Sequence, residues 1–229
     1  MSDATAPALS TLLQHPKLWR ARSVSAGSVM PALDCGNEAL SKILPDGGWP
    51  QQTITELLFA QAGIGELSLL LPTLAALTRQ QRWCAVVAAP YLLQSPALQA
   101  AGVATDYLLF VSPALRSLHA WAIEQVARSG LCPVVIGWLG EADLSTLRRL
   151  QLAAQTGQCS LILLRPLAQA VQPSSATLRL QLRTGENGLH IDMIKARGRL
   201  PTRVYLPLRA QGLGSDLSLN LRADSLALG

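Results

Sequence analysis

Residues 53–77 read TITELLFAQAGIGELSLLLPTLAAL, and this stretch decides the fold. Ile54 and Phe59 favour a β-strand, Gly63 and Gly65 favour a tight loop, and the leucine-rich run that follows predicts a helix. A strand, a glycine-containing loop and a helix in this order are the layout of a phosphate-binding P-loop, GxxxxGK[ST]. We therefore expect this stretch to have the shape of a P-loop.

The side chains with which a P-loop holds its nucleotide are replaced in this stretch. Ala60 stands where the first glycine belongs, and Gly65 matches the second glycine. Glu66 replaces the lysine and Leu67 replaces the serine or threonine. A carboxylate would repel a triphosphate, and a leucine has no oxygen with which to bind Mg²⁺. The loop is therefore expected to bind neither a nucleotide nor a metal ion.

The composition is that of one globular domain with modest extensions. The chain has 229 residues, of which 49% are hydrophobic and 14% charged, so it can bury a full core. The absence of an 18-residue apolar run or a basic, apolar leader predicts a cytoplasmic protein without a membrane span. Four cysteines without a CxxC pair predict buried free thiols. The net charge of +5 is compatible with a nucleic-acid partner without requiring one.

Beyond the loop, apolar strand patterns alternate with amphipathic helix patterns. Strands are predicted near residues 83–89, 107–111, 133–139 and 159–164, and helices near residues 95–101, 113–128 and 143–156. Asp143 is expected to cap the last of these helices, with Arg148, Arg149 and Gln151 facing outward. Repeated strand–helix units predict an α/β fold with a mostly parallel sheet flanked by helices.

The C-terminal third changes to an antiparallel pattern. Residues 177–194 alternate apolar and polar side chains around a TGENG turn, which predicts a β-hairpin at the edge of the sheet. The basic segment that follows is a candidate contact for a partner or a nucleic acid, through Lys195, Arg197, Arg199 and Arg203. Arg148 and Arg149 on the predicted helix 143–156 are further candidates for such a contact. The predicted division of the chain is an N-terminal arm with a short helix (1–31), a core (32–209) and a flexible tail (210–229).

The order of these elements resembles a bacterial RecA-type core and, more closely, two families built on that core. VVIGWL (134–139) and LLLP (69–72) resemble the SulA cell division inhibitors. A larger set of motifs resembles ImuA, the SulA- and RecA-related accessory protein of bacterial translesion synthesis: PDGGWP (45–50), GIGELSLLLP (63–72), LRRLQLAAQTG (147–157), Arg165-Pro166 and IDMIKARG (191–198).

The resemblance to RecA implies a degenerate ATPase core. The glutamate that would activate water falls at Pro90, and the Walker B aspartate falls at Gly137. The two loops that bind DNA in RecA correspond to shortened segments at about residues 140–143 and 168–172. Phosphoryl transfer needs a metal ion, a lysine clamp and a positioned water, so we expect a protein without catalytic activity.

The resemblance leaves three functional hypotheses. The first is a non-catalytic scaffold of SOS-induced, error-prone translesion DNA synthesis. It would act with ImuB, RecA and a DnaE-type polymerase, and would bind DNA weakly or not at all. This hypothesis is favoured because SulA proteins lack the N-terminal segment that precedes the degenerate loop. The alternative is a SulA-like cell division inhibitor that binds FtsZ. The third, an active recombinase-like ATPase, is disfavoured by residues 66, 67, 90 and 137.

Overall fold

The computed structural model describes residues 31–196 and 200–207. Within them the chain forms ten strands and five α-helices. The strands are β1 (Ala32–Asp34), β2 (Gly48–Pro50), β3 (Thr53–Phe59), β4 (Cys84–Val87), β5 (Leu108–Val111), β6 (Val134–Trp138), β7 (Ser160–Pro166), β8 (Leu178–Gly185), β9 (Gly188–Ala196) and β10 (Arg203–Pro207). The helices are α1 (Glu38–Ile43), α2 (Leu71–Arg79), α3 (Ser95–Ala100), α4 (His119–Arg128) and α5 (Leu144–Thr156).

Eight of these strands form one mixed sheet in the order β10-β9-β8-β3-β7-β6-β4-β5. The strands from β8 to β5 run parallel to their neighbours, whereas β8, β9 and β10 pair in antiparallel fashion. β1 and β2 form a separate two-stranded sheet. The prediction of an α/β fold with a large, mostly parallel sheet flanked by helices is confirmed.

Strand β3 lies inside the sheet, and all seven of its residues are buried. A strand covered on both faces needs apolar residues at nearly every position, which explains its continuous apolar run. Leu57 and Phe59 belong to the core cluster shared with α2, while Ile54 belongs to the cluster beneath α4 and α5. β3 therefore joins the two layers of the core and carries the degenerate loop at its carboxyl end.

The predicted hairpin forms, but it does not lie at the edge of the sheet. β8 and β9 pair around the predicted turn, and β10 then pairs with β9 on its outer side. Val204 and Leu206 of β10 pack against the core, which explains why this short strand adds to the sheet. The sequence prediction missed β10 because charged residues and prolines surround its apolar positions.

Two helix predictions need correction. α4 begins at His119 instead of residue 113, and Leu115 and Leu118, which the prediction placed within the helix, are exposed. The chain before α4 is a 3₁₀ turn, so the 3.6-residue periodicity does not apply there. On α5, Gln151 does not face solvent. Its side chain accepts a hydrogen bond from the Ile54 N–H and donates one to the Gln52 carbonyl oxygen, which ties the helix to β3.

The four cysteines are free and buried, as predicted. Burial raises the pKa of the Cys84 and Cys159 thiols to about 12, so both remain protonated and unreactive near neutral pH. In the described part of the chain, no helix is long and apolar enough to cross a membrane. The predicted N-terminal arm (Pro31 apart), the predicted tail, Arg197 and Arg199 lie outside the described residues.

Candidate functional site

The degenerate loop holds its own carboxylate. Glu66 is buried, and both of its side-chain oxygens accept hydrogen bonds from the Gly63 N–H, at 3.0 and 3.1 Å. The Tyr91 hydroxyl donates a third hydrogen bond to Glu66 Oε1, at 2.9 Å. Gly63 and Gly65 have φ values of 85° and 98°, which favour glycine at both positions. The negative charge predicted to repel a nucleotide therefore lies inside the loop, bonded to its backbone.

Tyr91, which donates this hydrogen bond to Glu66, lies in the segment that connects β4 to α3. Its ring packs edge-to-face on Trp138, with centroids 5.8 Å apart. Burial, together with the charge of Glu66 and the hydrogen bond to it, raises the pKa of Tyr91. The hydroxyl therefore stays protonated and remains a donor to Glu66 at neutral pH.

A cleft of about 860 Å³ opens at the carboxyl ends of the parallel strands. Ligands of open α/β sheets bind at this edge. The cleft brings Ala60 and Pro90 together, and its ionisable lining residues are Arg116, His119, Glu141 and Arg165. Glu66 and Leu67 do not line it. Within the described residues, no group of His, Cys, Asp and Glu could hold a metal ion.

Gly137 lies beneath helix α4 instead of in the cleft. A Cβ atom added there would come within 2.6 Å of Ile123 Cδ1 and 2.7 Å of its Cγ1. Both contacts are shorter than carbon atoms tolerate, so a larger residue at position 137 would force Ile123 or α4 to shift, and the close approach of α4 to β6 favours a glycine. The position that the RecA resemblance aligns with the Walker B aspartate therefore lies in the packed contact between β6 and α4.

A buried cluster that the sequence analysis did not identify lies around Glu56, in the middle of β3, and shares Arg165 with the cleft. The Glu56 carboxylate pairs with Arg165 Nη1 at 2.8 Å and with Arg179 Nε at 2.6 Å, and it accepts a hydrogen bond from the Ser174 hydroxyl. Glu56 and Arg179 are directly opposite each other on β3 and β8. The signal for this cluster was one charged residue inside the apolar run TITELLF, which a fully buried strand tolerates only when the charge is paired.

The two arginines extend this cluster to the loops at the carboxyl edge. Arg165 donates to the Gly140 carbonyl oxygen at 3.2 Å. Arg179 donates to the carbonyl oxygens of Gln169, Ala170 and Gln172. These are the segments that the RecA resemblance aligned with the two DNA-binding loops. One buried carboxylate therefore fixes both shortened loops.

The basic residues proposed as contacts do not form one site. Arg148 and Arg149 are exposed on α5, where Arg149 Nε lies 3.5 Å from Glu124 Oε2 of α4. Lys195 donates to the Ser174 carbonyl oxygen, and Arg203 pairs with Asp192 within the antiparallel strands. None of these contacts joins Arg148 or Arg149 to Lys195 or Arg203.

An exposed aromatic edge lies along β4 and β5, and the sequence analysis did not identify it. Trp83 and Phe110 are 47% and 44% exposed, and Leu109 is 38% exposed. Trp83 packs edge-to-face on Tyr107, with ring centroids 5.8 Å apart. β5 is the last strand of the sheet, so its outer backbone groups have no strand partner among the described residues. Apolar residues in predicted strands were assigned to the core, because periodicity cannot separate an edge strand from a central one.

Comparisons with known proteins identify one family. The sequence model of the family described as "Cell division inhibitor SulA" matches residues 52–161. The cell division inhibitor SulA of Edwardsiella piscicida is 35% identical over 114 residues, covering 48% of this chain and 68% of that protein. The SulA of Serratia marcescens is 29% identical over 121 residues, covering 53% and 72%. That of Yersinia enterocolitica is 29% identical over 129 residues, covering 56% and 77%.

These similarities overturn the first functional hypothesis. The matching relatives are named as cell division inhibitors, so the interpretation as a translesion synthesis scaffold is contradicted, and ImuB, RecA and a DnaE-type polymerase have no support as partners. The error came from giving weight to short motifs and to the N-terminal segment, whereas the matched stretch includes the degenerate loop, the exposed aromatic edge and α5. The chain belongs to the SulA family of cell division inhibitors.

Proposed function

We propose that this protein is a non-catalytic cell division inhibitor that acts in the cytoplasm by binding FtsZ. The observation that carries the proposal is the similarity of residues 52–161 to cell division inhibitor SulA. A function shared with that family has to depend on the matched stretch. β9 and β10, with Lys195 and Arg203, lie outside it.

The exposed aromatic edge is the surface we assign to FtsZ. Trp83, Tyr107, Leu109 and Phe110 all belong to the matched stretch, and exposed aromatic side chains provide large contact areas at protein interfaces. The outer backbone groups of β5 could also pair with a strand of the partner. Elsewhere among the described residues of 52–161, Trp121 on α4 is also exposed, but it has no aromatic ring contact like that of Trp83 with Tyr107.

The lack of catalysis is part of the proposal and has three supports. Glu66 places a carboxylate on the Gly63 N–H of the loop, Gly137 is packed against Ile123, and Pro90 has no group that could activate water. A RecA-like ancestry of the fold, followed by loss of its nucleotide chemistry, would explain why these three positions align with catalytic residues of RecA.

The experiment is overproduction in growing bacteria, combined with retention of purified FtsZ on the immobilised protein. We expect filamentous cells and FtsZ retention from the wild type. The double variant Trp83→Ala/Phe110→Ala should lose most of both, because interface aromatics dominate binding energy. Leu152→Ala is the matched control, since Leu152 is an exposed apolar residue on α5, away from the edge. Normal cell length together with no FtsZ retention would reject the proposal.

A further inference from the structure

The three antiparallel strands have one buried face and one open face. The open face consists of Gln181 and Arg183 on β8, His190 and Asp192 on β9, and Arg203 and Tyr205 on β10. The register places these residues in two rows across the strands, Gln181–Asp192–Arg203 and Arg183–His190–Tyr205. Leu182, Ile191 and Leu206 on the opposite face are buried in the core. The open face therefore takes no part in the core and is available to a ligand.

Aromatic rings occupy the centre of this open face. His190 and Tyr205 lie opposite each other on β9 and β10, with ring centroids 4.9 Å apart and an interplanar angle of 47°. Tyr205 is 42% exposed, so part of its ring is available to solvent. A ring held on a sheet by a second ring can stack an unpaired base without a further loss of side-chain freedom.

The charges beside the rings are mainly positive. Arg183 and Arg203 both pair with the single carboxylate of Asp192, which leaves one positive charge in excess. Lys195 is exposed further along β9, and Glu186 is the acidic residue in the β8–β9 turn. Burial of Asp192 opposes its ionisation, but the two arginines outweigh it and lower the pKa of Asp192. Asp192 therefore stays ionised and holds both guanidinium groups beside the rings.

We propose that this open face binds single-stranded nucleic acid. A base stacks on Tyr205, supported by His190, and the phosphates on either side contact Arg183 and Arg203. An unpaired base can reach the ring face, whereas the bases of a duplex are stacked on each other and cannot. The face lies outside the stretch matched by the SulA family, so this function is independent of the proposed FtsZ contact.

The test measures binding of the full chain to a fluorescent 20-nucleotide oligo-dT and to a duplex of the same length, by anisotropy, at several salt concentrations. We expect preference for the single strand and an affinity that falls as salt rises. Tyr205→Ala should weaken single-strand binding by roughly tenfold, whereas Tyr205→Phe should retain it. Trp121→Ala removes an aromatic residue of comparable exposure on α4 and should have no effect.

The arginines are tested through the salt dependence. Arg203→Ala should reduce the slope of log affinity against log salt by about 1, because one phosphate contact is lost. Arg148→Ala, with the same change of charge on α5, should leave the slope unchanged. Asp192→Asn should strengthen binding, since both guanidinium groups are released to phosphate. The melting temperature of each variant shows whether it is folded.

Three results would overturn the proposal. One is the absence of single-strand binding by the wild type at low salt. The second is equal affinity for duplex and single strand, with no loss in Tyr205→Ala, which would indicate general attraction of phosphate to a basic protein. The third is binding that Arg148→Ala weakens as much as Arg203→Ala, which would place the contact elsewhere.

Discussion

At the scale of single residues, Glu56 is expected to have a strong influence on stability. Its side chain and that of Arg165 are almost wholly removed from solvent, and Arg179 is 7% exposed. Removing charges from water is costly, and this cost is offset only while each charge has its partners. The cluster is therefore stable as a complete set and unstable when any one member is removed.

Replacing Glu56 by Gln should destabilise the protein by about 3–5 kcal/mol, because two buried guanidinium groups would lose their counter-charge. The free energy of unfolding from urea titration is the measurement. The triple variant Glu56→Leu/Arg165→Met/Arg179→Leu should recover much of the loss, since it removes all three charges. A loss below about 1 kcal/mol in Glu56→Gln would show that water already reaches the cluster.

The helix cap formed by Asp143 should make the stability of the protein depend on pH. Its carboxylate caps α5 by accepting a hydrogen bond from the Thr146 N–H at 2.8 Å. The side chain and N–H of Thr146, followed by Ser145, lower the pKa of Asp143 from 3.8 to about 2. A lowered folded-state pKa means that the stabilisation is complete above pH 4 and is lost as the pH falls towards 2.

The melting temperature of Asp143→Ala should therefore lie below that of the wild type at pH 6, and the difference should shrink between pH 4 and pH 2. Glu141→Ala provides the control, because Glu141 is an exposed acidic residue two positions earlier without a capping bond. A difference that stays constant down to pH 2 would show that the carboxylate charge does not contribute.

At the scale of elements, the approach of α4 to β6 determines what position 137 can hold. The variant Gly137→Asp, which restores the expected metal-binding residue, should lose about 1–3 kcal/mol of stability by overpacking against Ile123. Adding Ile123→Ala should recover part of this loss, because it opens space for the new side chain. Thermal melts of the single and double variants measure the effect; full stability of Gly137→Asp alone would show that α4 can shift.

The structure of the loop between β3 and α2 predicts that the protein neither binds nor hydrolyses a nucleotide. Mg²⁺-ATP at millimolar concentration should neither raise the melting temperature of the wild type nor be hydrolysed, since the Glu66 carboxylate occupies the Gly63 N–H and lies inside the loop. Glu66→Lys with Leu67→Thr should still show no ATPase activity, because Pro90 and Gly137 remain. Hydrolysis by that variant would mean that positions 90 and 137 are wrongly aligned with the catalytic residues.

At the scale of the whole molecule, the two proposed binding surfaces lie at opposite ends of one sheet. The aromatic edge on β5 terminates one end, and the open face on β8, β9 and β10 occupies the other. Five strands separate β5 from β9, and sites without shared partners contribute independently. Binding at one end should therefore not depend on side chains at the other.

This independence can be measured with variants already described. Tyr205→Ala should block division as well as the wild type when overproduced, and Trp83→Ala/Phe110→Ala should bind oligo-dT as tightly as the wild type. A double-mutant cycle should give additive effects. Loss of FtsZ retention in Tyr205→Ala, with its melting temperature unchanged, would show that the two surfaces act together.

The amino-acid sequence by itself determined the elements that depend on local pattern. The β3–loop–α2 layout, the buried strands and the Asp143 cap all follow from residue type and period. These features are local because a strand period, a capping side chain or a missing lysine is visible within a few residues. The family assignment could not be settled from short motifs, because related families share them.

Only the tertiary structure decided which distant residues meet. Glu56, Arg165 and Arg179 are more than 100 positions apart at their extremes, and the order of β3, β7 and β8 brings them together. The tertiary structure also decided that β10 joins the sheet, that Trp83 and Phe110 are exposed, and that His190 and Tyr205 form a ring pair. Strand order and register bring these side chains together, and neither is encoded in any short window of sequence.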